Sequence, residues 1–138
     1  MGSEMCIRDR ANFTPEGILA DFFAPFAPFA PAPETPPVLW GSERHVRRLF
    51  GDRVSSLELT RRTYVERAAS PRHYCAFFKE TFGPVAAVYE SVADDPGRRA
   101  ALDREFLDFA VRANRGSPDG PAEYPYEYLL VVARARGA

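Results

Sequence analysis

The sequence is short of lysine, of cysteine and of long apolar runs, and each shortage removes a class of protein. Lys79 is the only lysine among 18 basic residues, and against 19 acidic residues they leave a formal charge of -1. A chain that tracks a nucleic-acid backbone carries a basic excess, so no nucleic-acid partner is expected. Cys6 and Cys75 are the only cysteines. That is too few for a disulfide framework and fits a reducing, cytoplasmic setting. No apolar run approaches the roughly 20 residues of a membrane-spanning helix, and no signal peptide is visible, so neither a membrane nor export is expected. The nine glycines form no GxGxG-like string.

What is present suits one globular domain. The 138 residues are 46% hydrophobic and 27% charged, which is ordinary for a folded chain. Arginine, alanine and proline are abundant together, the mark of a GC-rich coding bias rather than of phosphate recognition. The opening string MGSEMCIRDR has no apolar period, cap or turn chemistry. MCIRDR resembles translated sequencing-adapter sequence, so residues 1–10 are either non-native or a disordered tail. On either reading the native chain is expected to continue upstream of Ala11.

From Ala11 the pattern is that of alternating strands and helices. Residues 11–13 look like the stub of a strand. Thr14 and Pro15 then supply a cap and a first-turn proline for a helix with Ile18, Leu19, Phe22, Phe23 and Phe26 on one face. Pro25, Pro28, Pro31 and Pro33 stop it. In a polyproline II helix Phe23, Phe26 and Phe29 would line one edge, either capping a hydrophobic substrate or packing on the domain. Ser42 caps a short helix that carries Val46, Leu49 and Phe50 inward, and Gly51 ends it. Residues 54–66 alternate as a half-buried strand with Leu57, Leu59, Thr63 and Val65 inside; Arg61 falls on that side and needs a partner or a sheet margin. Ser70-Pro71 starts a helix with an aromatic face of Tyr74, Phe77, Phe78 and Phe82. Gly83-Pro84 interrupts it before Val85, Val88, Tyr89 and Val92. Asp95-Pro96 opens a helix with Leu102, Phe106, Phe109 and Ala113 on one side. Arg98, Arg99, Asp103, Arg104, Asp108 and Arg112 face water on the other. A turn cluster at 114–120 precedes Tyr126–Ala133, continuous enough for a strand covered on both faces.

That order resembles the C-terminal part of the class I S-adenosylmethionine-dependent methyltransferases, especially the small-molecule branch that includes ubiquinone- and menaquinone-type enzymes. ANFTPEG resembles the end of the fifth strand and its turn, and WGSERHVRRLFG the helix before the sixth. VSSLELTRRTYVER resembles the sixth strand and EYLLVVARAR the seventh, so the resemblance covers residues 11–138. It implies an α/β fold, the last portion of a Rossmann-like sheet. The seventh strand would run antiparallel between the fifth and sixth. The cofactor half, with its glycine-rich loop and ribose-binding acid, would lie upstream, so no cofactor-binding residue is expected in this chain and one flank of the last strand should be vacant. The parent enzyme would transfer a methyl group from S-adenosylmethionine to a small organic acceptor, while the isolated chain would be inactive. This portion could enclose the acceptor through Asn12, Phe13, Trp40, Tyr74 and Phe78, because methyl transfer chiefly needs aligned reactants in a dry site.

Other constellations are weak. His73 and Cys75 form an HxC, but no further ligands sit at metal-site spacing, so no metal is expected. Nothing beside Cys75 would lower its pKa to make a nucleophile. Catalytic residues and oligomeric state are not legible. The competing reading is a complete, non-catalytic small α+β domain that binds a hydrophobic ligand or partner.

Overall fold

The computed structural model describes residues 4–7, 19–30 and 37–137. The strand stub at 11–13, its Thr14–Pro15 helix start, Ile18, and the prolines at 31 and 33 lie outside the described residues. The chain is mixed α and β and divides into two compact units. One draws on residues 4–7, 19–20, 37–64 and 126–137, the other on 21–30 and 65–125.

A sheet of order β1-β3-β2 is formed by β1 (Glu4–Ile7), β2 (Val54–Ala68) and β3 (Ala122–Ala135), and the first unit takes β1 with residues 54–64 and 126–135 of the other two. β1 pairs antiparallel with β3, Glu4 opposite Arg134 and Ile7 opposite Val131. On the other side Ser55 Oγ donates to the carbonyls of Arg134 and Ala135 at 3.2 and 3.4 Å, and Arg61 reaches Glu127 at 2.9 Å. Rising numbers on β2 meet falling numbers on β3, so β3 lies between two neighbours and runs opposite to both. The flank expected to be vacant is therefore occupied, and by part of the opening decapeptide. The reason is that strand pairing is made by backbone N–H and C=O groups, so an edge accepts a segment without apolar alternation.

Against this sheet packs α2 (Glu43–Phe50), capped by Ser42, whose Oγ accepts from His45 N at 3.4 Å. Gly51 closes it at φ 49, with its N–H on the Arg47 carbonyl. Val46, Leu129 and Val131 form the core, with Trp40, Phe50, Leu57 and Leu59 around them. Leu49, expected inside, is 39% exposed. Leu49 and Phe50 both neighbour Val46 on the helix surface, and it is Phe50 that packs on the Val46 core. Thr63 is likewise exposed rather than inside. Arg61 finds partners in Glu127 and, at 3.5 Å, Glu43.

In the second unit three helices carry the core: α3 (Pro71–Thr81), α4 (Gly83–Ser91) and α5 (Pro96–Ala113). Ser70 and Asp95 cap α3 and α5 by accepting from His73 N and Arg98 N at 3.2 and 3.1 Å. Phe22, the last residue of α1 (Leu19–Phe22), sits among Phe78, Phe106 and Phe109 with ring centroids 5.1–5.9 Å away. The segment after it is no polyproline helix. Residues 24–26 make a 3-10 turn, Phe26 N donating to Phe23 O at 3.1 Å and Phe29 N to Phe26 O at 2.9 Å. Polyproline II has no such bonds. The turn buries Phe22 and Phe26 and leaves Phe23 exposed, so the phenylalanines divide instead of lining one edge. Phe77 too is exposed, while Tyr74 and Phe78 are not.

β3 starts at Ala122, earlier than expected, and is not covered equally on both faces. Ala122, Tyr124, Tyr126, Leu129, Val131 and Ala133 are buried, and their neighbours are half-buried. The loop before it is organised by Asn114, whose Oδ1 accepts from Gly116 N and Glu123 N at 2.8 and 3.0 Å while Nδ2 donates to Ser117 O.

Candidate functional site

Side chains of mixed chemistry converge on a cleft between α3 and α5, within the second unit. Arg72, Cys75 and Lys79 recur at three- and four-residue spacing on α3, hence on one face. Asp103, Arg104 and Leu107 come from α5, and the cleft encloses about 330 Å³. Lys79 Nζ donates to Asp103 Oδ1 at 2.6 Å, and the Tyr89 hydroxyl of α4 donates to the same oxygen at 2.8 Å. The ammonium also lies over the Tyr89 ring, 4.5 Å from its centroid. Asp103, read from sequence as a solvent-facing residue, instead links three helices.

The electrostatics follow from this wiring. Burial alone would raise the Asp103 carboxyl, but hydrogen bonds from Lys79 and Tyr89 and the charges of Lys79 and Arg99 hold it below the ordinary value. Burial, and then the bond to Asp103, push the Tyr89 hydroxyl far up, so it remains a donor. Burial pushes the Cys75 thiol up to about 12, against the opposing pull of Lys79 and Arg72. A thiol that stays protonated is a poor nucleophile. Arg72 and Arg104 have no ion-pair partner among the described residues. The cleft thus presents a neutral thiol, a carboxylate already engaged, and two guanidinium groups without an ion-pair partner among the described residues.

The residues expected to enclose a methyl acceptor fall elsewhere. Asn12 and Phe13 lie outside the described residues. Trp40 is half-buried against the Val46 core of the first unit. Tyr74 and Phe78 are 1% and 2% exposed in the core of the second. Tyr74 stacks on Tyr124 at 3.8 Å between centroids and lies 4.7 Å from Phe78. These two rings are consumed by packing, so they line no open surface, as an aromatic stripe at helical spacing usually does not. His73 turns its ring to Ser70 Oγ at 2.8 Å, and among the described residues no group of three or more His, Cys, Asp or Glu could hold a metal ion. Nor is any helix of the described residues long and apolar enough to cross a membrane. The Lys79–Asp103–Tyr89 link escaped sequence reading, although the solitary lysine in phase with Arg72 and Cys75 was a signal for it.

No family model matches the chain. It is 35% identical over 127 residues to uncharacterized proteins of Mycobacterium tuberculosis and Mycobacterium bovis, with 89% of this chain and 44% of theirs aligned. The chain thus spans less than half the length of the curated relatives it matches.

Proposed function

We propose that the chain is the C-terminal portion of a class I S-adenosylmethionine-dependent methyltransferase acting on a small organic acceptor. The observation that supports this reading is the antiparallel pairing of β3 with β2; the flank of β3 occupied by β1 departs from the vacancy that the resemblance implied. In the resembled family the seventh strand runs antiparallel beside the sixth. β2 and β3 are the segments that resemble strands six and seven, whereas β1 comes from residues 4–7 and not from the segment at 11–13 that resembles the fifth. The mycobacterial relatives' greater length leaves room for a cofactor-binding half.

In this reading S-adenosylmethionine supplies the methyl group and is held by that other half. Residues of this portion shape the acceptor's surroundings and exclude water, with Asn12, Phe13 and Trp40 as the lining candidates; Tyr74 and Phe78 serve the core. The test is calorimetric titration of S-adenosylmethionine into the protein encoded by the full reading frame and, separately, into this chain. Binding to the former and none to the latter is expected. No binding to the full-length protein would overturn the assignment, and micromolar binding to the chain alone would overturn the division of roles. The competing reading, a complete non-catalytic domain, predicts no cofactor binding by either.

A further inference from the structure

We infer that the cleft between α3 and α5 is a binding site for a small phosphomonoester, its phosphate held by Arg72 and Arg104 and its organic group lodged against Cys75 and Leu107. The inference is independent of the methyltransferase reading. Arg72, Lys79 and Arg104 outweigh the single carboxylate of Asp103 in the lining, which leaves a surplus of two positive charges. Lys79 is committed to Asp103 at 2.6 Å, so the surplus resides on the two guanidinium groups, which have no ion-pair partner among the described residues. Guanidinium presents paired donors that match phosphate oxygens, and two of them suit a dianion better than a monoanion.

The remainder of the cleft sets the ligand's size and polarity. About 330 Å³ is the lower end of the range for small-molecule pockets. The Cys75 thiol remains protonated with its pKa pushed up to about 12, so with Leu107 it offers an apolar wall that does not repel an anion. The Lys79–Asp103–Tyr89 link fixes the spacing of the helices that carry the two arginines. Free phosphate would satisfy only the charged half of the cleft. A phosphate ester with a compact aromatic or alkyl group would satisfy both halves, and a phospholipid would offer the same headgroup chemistry on a surface.

The test titrates phenyl phosphate, inorganic phosphate and phenyl sulfate into the complete 138-residue chain by calorimetry, and measures co-sedimentation with vesicles containing phosphatidic acid. Phenyl phosphate should bind saturably and more tightly than either control ion, without vesicle binding. Arg72→Ala and Arg104→Ala should each weaken it by about tenfold or more. Both variants alter exposed residues, and unchanged circular dichroism would confirm that they fold. Arg44→Ala, exposed on α2 in the other unit, should bind as the wild type does. Affinity unchanged in both cleft variants, equal affinity for phenyl sulfate, vesicle binding without phenyl phosphate binding, or no saturation up to about 10 mM would each overturn the inference.

Discussion

Gly116→Ala tests the loop that leads into β3, and its effect can be worked out from the coordinates. A Cβ at Gly116 would sit 2.4 Å from the Pro121 carbonyl oxygen, 3.0 Å from Glu123 N and 3.3 Å from the Ala122 carbonyl carbon. All three are backbone atoms, so no side chain can swing aside and the loop itself must open. Conformational freedom is not the reason for glycine here, because Gly51 is the one glycine with positive φ among the described residues. Opening the loop threatens the bonds from Arg115 N to Glu123 O at 2.8 Å and from Ser117 N to Pro121 O at 3.0 Å. Overpacking costs about 1–3 kcal/mol, and each lost bond about 1 kcal/mol. With one of the two bonds lost, the expected destabilisation is about 2–4 kcal/mol, seen as a fall of about 1–2 M in the urea midpoint without a change in slope. Asn114→Ala should destabilise by removing the three bonds its amide makes, and the double variant should lose less than the sum, since both changes dismantle one loop. A Gly116→Ala chain within about 0.5 kcal/mol of the wild type, or strict additivity with Asn114→Ala, would refute the close-approach argument.

Two further outcomes follow from buried groups of the second unit. Tyr124→Phe removes the hydroxyl that donates to the Ala110 carbonyl at 2.8 Å but keeps the ring on Tyr74, so chemical denaturation should show a loss of about 1–1.5 kcal/mol; no loss would mean the bond is replaced. In a Cys6→Ser background, Cys75 should react with a disulfide reagent at neutral pH far more slowly in the folded chain than in urea. Its folded pKa is raised from 9.0 to about 12, so the folded state retains the proton more strongly. The stability this contributes is complete below about pH 9 and declines as pH rises towards 12. Equal labelling rates, or stability flat across that window, would contradict the burial argument.

The helices were legible because their signals are local. Ser42, Ser70 and Asp95 each cap the helix they were expected to start, since a cap needs only one side-chain oxygen and a nearby N–H. What periodicity could not decide was which edge of an apolar stripe meets the core. Leu49 and Phe77 belong to the apolar patterns of their helices, yet they lie at the margin of the buried face and stay 39% and 40% exposed. The phenylalanine-proline segment failed for a different reason. Three-residue spacing suits both polyproline II and a 3-10 turn, and burial of Phe22 and Phe26 among the rings of α3 and α5 favours the turn. Pairing partners of a sheet are non-local, so nothing in the string MGSEMCIRDR announced that Glu4–Ile7 would lie beside β3.

The cleft was less legible than the fold because its chemistry depends on residues from three helices. Asp103 lies in a run of charged positions on α5, where any carboxylate reads as solvated. Only the approach of Lys79 from α3 and Tyr89 from α4 makes it a junction. That junction also separates the roles of the nearby cations. The one lysine is bound to a carboxylate, and its mobility is spent on holding helices together. Arg72 and Arg104 belong to the same lining but have no such obligation, so a charge that looks like ordinary surface in sequence becomes local surplus in three dimensions. The proposed anion recognition and plain helix solvation differ in what they predict: solvation would leave binding indifferent to which arginine is removed and to the charge of the ligand, whereas recognition requires both to matter.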